Sequence, residues 1–124
     1  MQRLILITLI SVFLHAIGHT QKTSVFTDAN IHFKKAQEFY EQNVFPEAMK
    51  EYKLASEQLL PLQDEPSKLL LLKSKLMYAK SAVLNDDPEG EKLILDFIRT
   101  YKPDPLATQA IIDISDYYYN QKDY

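Results

Sequence analysis

The sequence predicts an all-α protein, a stack of antiparallel helical hairpins amounting to about two and a half repeats. Three observations predict it. Apolar residues recur at three- and four-residue intervals from Phe26 onward, as one buried face of a helix requires. Pro46, Pro66, Pro88 and Pro105 punctuate that pattern, each beside an acidic residue. Proline lacks the N–H that a first helical turn leaves unpaired, and the carboxylate meets the positive helix end. No run alternates with a period of two and no Asn-Gly hairpin signal occurs, so nothing favours strands.

The elements follow in order. The first helix carries Ala29, Phe33, Ala36 and Phe39 or Tyr40, and ends at Val44 and Phe45. Pro46 and Glu47 open a second, whose stripe is Ala48, Tyr52, Ala55 and Leu59 and which stops near Pro61. Pro66 and Ser67 open a third with Leu69, Leu72, Leu76, Ala79 and Val83 on one face, ending over Asn85 to Asp87. The run Leu69 to Leu72 spans more than one face, so at least part of it is expected to pack on both neighbours or stay exposed, with core the favoured reading. Pro88 starts a fourth helix with Asp87 as its N-cap and Glu89 and Glu91 in its first turn. It carries Gly90, Ile94, Phe97 and Tyr101 and closes at Pro103. A fifth begins at Asp104 and Pro105 and runs through Ala107, Ala110, Ile111, Ile114, Tyr117 and Tyr118. Ala36, Ala79 and Ser115 open similar motifs at intervals of 43 and 36 residues, within the range of helical-repeat arrays.

The amino-terminus has a different character. Met1 to Arg3 is short, polar and positively charged, and Leu4 to Gly18 is apolar apart from Thr8, Ser11 and His15. That is signal-peptide anatomy, too short for a membrane-spanning helix. Small residues place cleavage before His19 or before Gln21, the second being favoured; the competing readings are an uncleaved anchor and a buried core helix. The expected organisation is a signal peptide at 1–20, an unstructured polar lead-in at 21–27 and a repeat domain at 28–124. Its repeats fall at about 28–61 and 66–102, with an incomplete one at 104–124. No other segment is apolar enough to span a bilayer, so the product is expected in an extracytoplasmic space such as a bacterial periplasm or cell envelope.

Composition narrows the chemistry. A formal charge of -3, with Lys and Arg scattered among Asp and Glu, offers no basic stripe for nucleic acid. Cysteine is absent, which removes disulfides, zinc knuckles, thiol nucleophiles and a lipid-modified cysteine. The only two glycines, Gly18 and Gly90, cannot build a phosphate-cradling loop. Beyond the signal region His32 is the one certain histidine, so neither a histidine-based catalytic centre nor a multi-histidine metal site is expected. Asp86, Asp87, Glu89 and Glu91 cluster as a hard-cation site would, but capping and dipole compensation explain them more simply. No cofactor, metal or enzymatic activity is expected.

Ala36, Phe39, Phe45, Ala48, Tyr52 and Ala55 stand in the order and spacing of a known motif, and the first hairpin resembles a tetratricopeptide (TPR) repeat. The stretch from Leu93 to Tyr124, with Phe97, Ile98, Tyr101, Pro103, Ala107, Ala110, Tyr118, Asp123 and Tyr124, resembles the subtype in bacterial envelope assembly lipoproteins and cell-division coordinators. It departs from that subtype in Lys102 and in lacking a lipid-bearing cysteine. The resemblance implies a TPR-like α-solenoid that binds a protein or peptide in a concave groove lined by the first helix of each hairpin. Carried over position by position, that groove comprises Asn30, Phe33, Gln37 and Tyr40 with Gln109, Asp116, Tyr119 and Asn120. Helical phase puts Tyr117 and Tyr118 on the apolar stripe and turns Tyr119 outward.

The expected function is an exported interaction scaffold that binds a peptide or protein partner. The alternative is a sensory module at the start of a longer envelope signalling protein. A terminal helix this apolar, with Ile111, Ile112, Ile114 and three consecutive tyrosines, predicts a longer array or self-association through that end.

Overall fold

In a computed structural model of the chain, the backbone is described for residues 2–122 and the side chains for residues 21–121. The described residues form five helices and no strand: α1 (Gln2–Glu41), α2 (Phe45–Leu59), α3 (Glu65–Leu84), α4 (Gly90–Tyr101) and α5 (Pro105–Lys122). The all-α class and the number of helices are those the periodicity predicts. The side chains of the signal segment, 1–20, lie outside the described residues, as do Asp123 and Tyr124.

The polar lead-in expected at 21–27 is not irregular; it is part of α1. No proline interrupts residues 2–41, and Val25 and Phe26 continue the stripe one turn before Ala29. Both pack on the cluster of Ala29, Leu59 and Leu62, so burial extends the helix past its polar surface residues. The fourth helix also starts later than expected, at Gly90. The Asp87 carboxylate caps a turn ahead of the helix, accepting from the Glu89 amide at 2.9 Å. The other starts fit the proline signals. Asp64 caps α3 through the Ser67 amide at 3.0 Å, and Asp104 accepts from the Leu106 amide at 2.8 Å.

Residue pairs give the helix directions. Across α1 and α2, Tyr40 meets Phe45, Phe33 meets Tyr52 and Ala29 shares a cluster with Leu59, so the two run antiparallel. Lys75 bonds Tyr101 while Gly90 lies against Ala82 and Val83, which makes α3 and α4 antiparallel as well. Each helix packs on the next in sequence; α3 also touches α1 and α5, whereas α2 and α4 do not meet. Helices α1, α3 and α5 therefore lie together along one side.

The two helix ends that turn into α2 and α4 are built alike. Asn43 and Asp86 take left-handed backbone, φ 60 and φ 52, one residue before the next segment departs. Around them the Val44 amide donates to the Phe39 carbonyl at 2.8 Å and the Asp87 amide to the Ala82 carbonyl at 3.0 Å. The Asn43 amide reaches Tyr40 as the Asp86 amide reaches Val83. Every member of the second set stands 43 residues after its counterpart, the interval separating Ala36 from Ala79. Left-handed C-terminal residues of this kind satisfy carbonyls that a helix end leaves open.

Packing explains the small residues. Ala36, Ala48 and Ala55 surround the fully buried Tyr52, whose ring meets Phe33 edge-on with centroids 5.5 Å apart. Helix α3, flanked on several sides, buries Ser67, Ser74 and Ser81 at seven-residue spacing; Ser74 and Ser81 return their hydroxyls to carbonyls one turn back. The leucine run divides as expected. Leu70 and Leu71 pack toward the first hairpin, Leu72 toward α4 and α5, and Leu69 is exposed. A Cβ on Gly90 would sit 2.8 Å from the Val83 nitrogen and 2.9 Å from the Ala82 carbonyl carbon, so glycine permits this close crossing.

Candidate functional site

The side where α1 and α5 flank α3 holds a cavity of about 250 Å³. Tyr40 reaches it from the end of α1. Lys80, Val83 and Leu84 come from α3, and Ala110, Asp113, Ile114, Asp116 and Tyr117 from α5, with Ile94 behind them. Alanine at 110 and valine at 83 keep the floor apolar, while the rim carries tyrosine hydroxyls and charge.

Its electrostatics are set by one bridge. The Lys80 ammonium lies 2.6 Å from the Asp113 carboxylate, both half-buried, tying α3 to α5. Gln109, one turn earlier on α5, donates to the other Asp113 oxygen at 2.8 Å. Burial raises the Asp113 pKa, but the hydrogen bonds from Lys80 and Gln109 and the lysine charge outweigh it and hold the carboxyl below its usual range. The Tyr117 hydroxyl approaches Asp86 at 3.5 Å and accepts from Gln121 at 2.8 Å. Asp116 lines the same cavity, is exposed, and makes no ion pair or hydrogen bond among the described residues. The rim thus presents one neutralised carboxylate and one free one.

Of the residues expected in a groove, the structure brings Tyr40 and Asp116 into this cavity, and places Gln109 on the Asp113 wall. Gln37 and Asn120 are exposed and Asn30 is half-buried, none of them lining it. Phe33 corrects the groove reading: it is 8 % exposed and belongs to the core around Tyr52. Its apolar ring covers the aromatic partner across the hairpin, so it has no face left for a ligand. Tyr119 is 71 % exposed, as its helical phase predicts, but it lines a different cavity with Leu95, Ile114 and Tyr118 on the far side of α5.

Lys80, Asp113 and Tyr117 were not among the expected groove residues. The bridge joins residues 33 apart and the Tyr117 contact joins residues 31 apart, spacings that the repeat intervals of 43 and 36 residues do not give. The spacing Gln109, Asp113, Asp116, which shares one helix face, was the available signal.

A second polar centre sits between α1 and α2. Glu51, 6 % exposed, receives the Lys35 ammonium at 2.7 Å and His32 Nδ1 at 2.6 Å. Burial pushes its pKa up, yet the bonds and charges of Lys35 and His32 prevail and leave it lowered. The acidic turn is engaged in capping and surface pairing: Asp87 binds the Glu89 amide, and Glu89 faces Lys92 at 3.5 Å.

Among the described residues no helix is long and apolar enough to cross a membrane. No protein-family model, characterised protein or solved structure matches the chain.

Proposed function

We propose that this protein is an exported, non-catalytic scaffold of TPR-like repeats that binds an extended peptide segment of a cell-envelope partner. The observation that carries the reading is the cavity shared by α1, α3 and α5, whose lining includes Tyr40, Tyr117 and the free Asp116 carboxylate. Aromatic rings offer flat apolar surface, and a free carboxylate in the same cavity favours a basic side chain, so the partner segment carries a lysine or arginine. Two helix-end turns repeated at 43 residues, together with the alanine and aromatic pattern of the first hairpin, support the repeat architecture. The apolar segment from Leu4 to Gly18 supports export.

The test is capture of the partner from envelope extracts on the wild-type protein and two variants. Asp116→Lys reverses the free charge in the cavity and abolishes recovery; Lys50→Glu on the exposed side of α2 leaves it intact. Equal recovery on all three would refute the groove. Export is checked by the mass of the processed product, expected to lack residues 1–20; retention of those residues contradicts cleavage.

A further inference from the structure

A further groove runs over α3 between α2 and α4, the two helices that do not touch. It encloses about 410 Å³, within the range of small-ligand pockets. Its floor is Tyr78, Ala79, Leu93 and Phe97. Two lysines stand over that floor. Lys75 is half-buried, donates to the Tyr101 hydroxyl at 3.0 Å and lies 5.8 Å from the Tyr101 ring centre. No carboxylate pairs with it among the described residues. Lys53, on the α2 rim, makes no ion pair or hydrogen bond there. The one carboxylate in the lining, Asp96, faces Arg99 at 3.5 Å. The slot is therefore lined by apolar side chains and by two lysines with which no carboxylate forms an ion pair among the described residues.

We propose that this slot binds an aliphatic monocarboxylate, its chain lying on Ala79, Leu93 and Phe97 and its carboxylate between Lys53 and Lys75. A half-buried ammonium bonded to a neutral hydroxyl gains a charge-assisted bond when a carboxylate arrives. The alkyl chain suits the slot because Ala79, Leu93 and Phe97 offer it apolar side chains to bury against. This site lies on the opposite side of α3 from the Asp116 cavity and does not depend on the scaffold reading.

Decanoate and decanol serve as matched probes, titrated into the full 124-residue chain while the Ala79 and Leu93 methyl resonances are followed by NMR. Decanoate is expected to shift both methyls saturably and to bind about tenfold tighter than decanol, the discrimination a charged hydrogen bond gives. Lys53→Met combined with Lys75→Met keeps the apolar stems and removes both charges. In that variant the two probes bind alike, with helix content unchanged by circular dichroism. Should the variant unfold, Lys53→Met alone, at an exposed position, narrows the preference in the same direction. Equal affinity for the two probes in the wild type, a preference that survives the substitutions, or shifts that spare Ala79 and Leu93 each overturn the proposal.

Discussion

The hairpin of α1 and α2 and the pair formed by α4 and α5 are closed to opposite degrees. In the first, alanines at 36, 48 and 55 let the helices enclose Tyr52 completely, and α3 covers the remaining face through Leu70, Met77 and Tyr78. In the second, Ile94, Phe97, Ala107 and Ala110 seal the side toward α3, but Leu95, Ile112, Tyr118 and Tyr119 stay exposed on the other. Small residues bring two helices together; a third helix is what makes an aromatic residue between them inaccessible. Stability should therefore concentrate in the first hairpin, with the outer face of α4 and α5 contributing little to it.

The sharpest way to break that contrast is at Tyr52. Tyr52→Ala empties the centre of the first core and should cost about 3–5 kcal/mol in chemical denaturation, the usual cost of truncating a buried aromatic. Tyr52→Phe separates packing from polarity. The Tyr52 hydroxyl is buried with no hydrogen-bond partner among the described residues, so its removal should leave stability unchanged or raise it by up to about 1 kcal/mol. A clear loss in Tyr52→Phe would mean that the hydroxyl, and not the ring, organises this core.

Gly90→Ala tests the second hairpin at its closest crossing. Alanine ordinarily stabilises a helix relative to glycine, by about 1 kcal/mol. Here its methyl meets backbone atoms of Ala82 and Val83, and overpacking should reverse the sign to a loss of about 1–3 kcal/mol. A stabilised variant would show that α3 and α4 can separate freely.

Glu51 adds a pH-dependent difference. Glu51→Gln should cost about 1–2 kcal/mol at neutral pH, less than a fully buried ion pair because Lys35 is exposed and His32 remains partly in water. The folded carboxyl titrates below its ordinary value of 4.5, so its stabilisation is present above that pH and is lost as pH falls through the lowered folded value. The gap between wild type and variant should close in acid; a gap that persisted would place the effect in packing. The smallest effect belongs to the open face. Ile112→Thr and Tyr119→Ser should each change monomer stability by less than about 0.5 kcal/mol, checked by denaturation at low protein concentration.

The helices were legible because prolines and acidic caps mark their starts and apolar spacing marks their faces. Two boundaries were misread for physical reasons. Val25 and Phe26 bury against Leu59 and Leu62 and draw a polar stretch into α1, while Asp87 caps a turn rather than α4. The site was less legible. Tyr40 and Asp116 came from the positions that the repeat resemblance implies, whereas the Lys80 to Asp113 bridge depends on how α5 packs against α3. That packing is set by side chains, not by repeat spacing. Phe33 was misplaced because an aromatic at a repeat position can fill either the groove or the core, and only the opposing Tyr52 decides.

The claim that α1, α3 and α5 form the working surface is tested most directly by a photoreactive side chain placed, one position at a time, at Asp116, Tyr119 and Lys50 in the living cell. The account predicts one partner captured from position 116 and none from position 50 or 119. The same partner captured from 50 or 119 and not from 116 would contradict it.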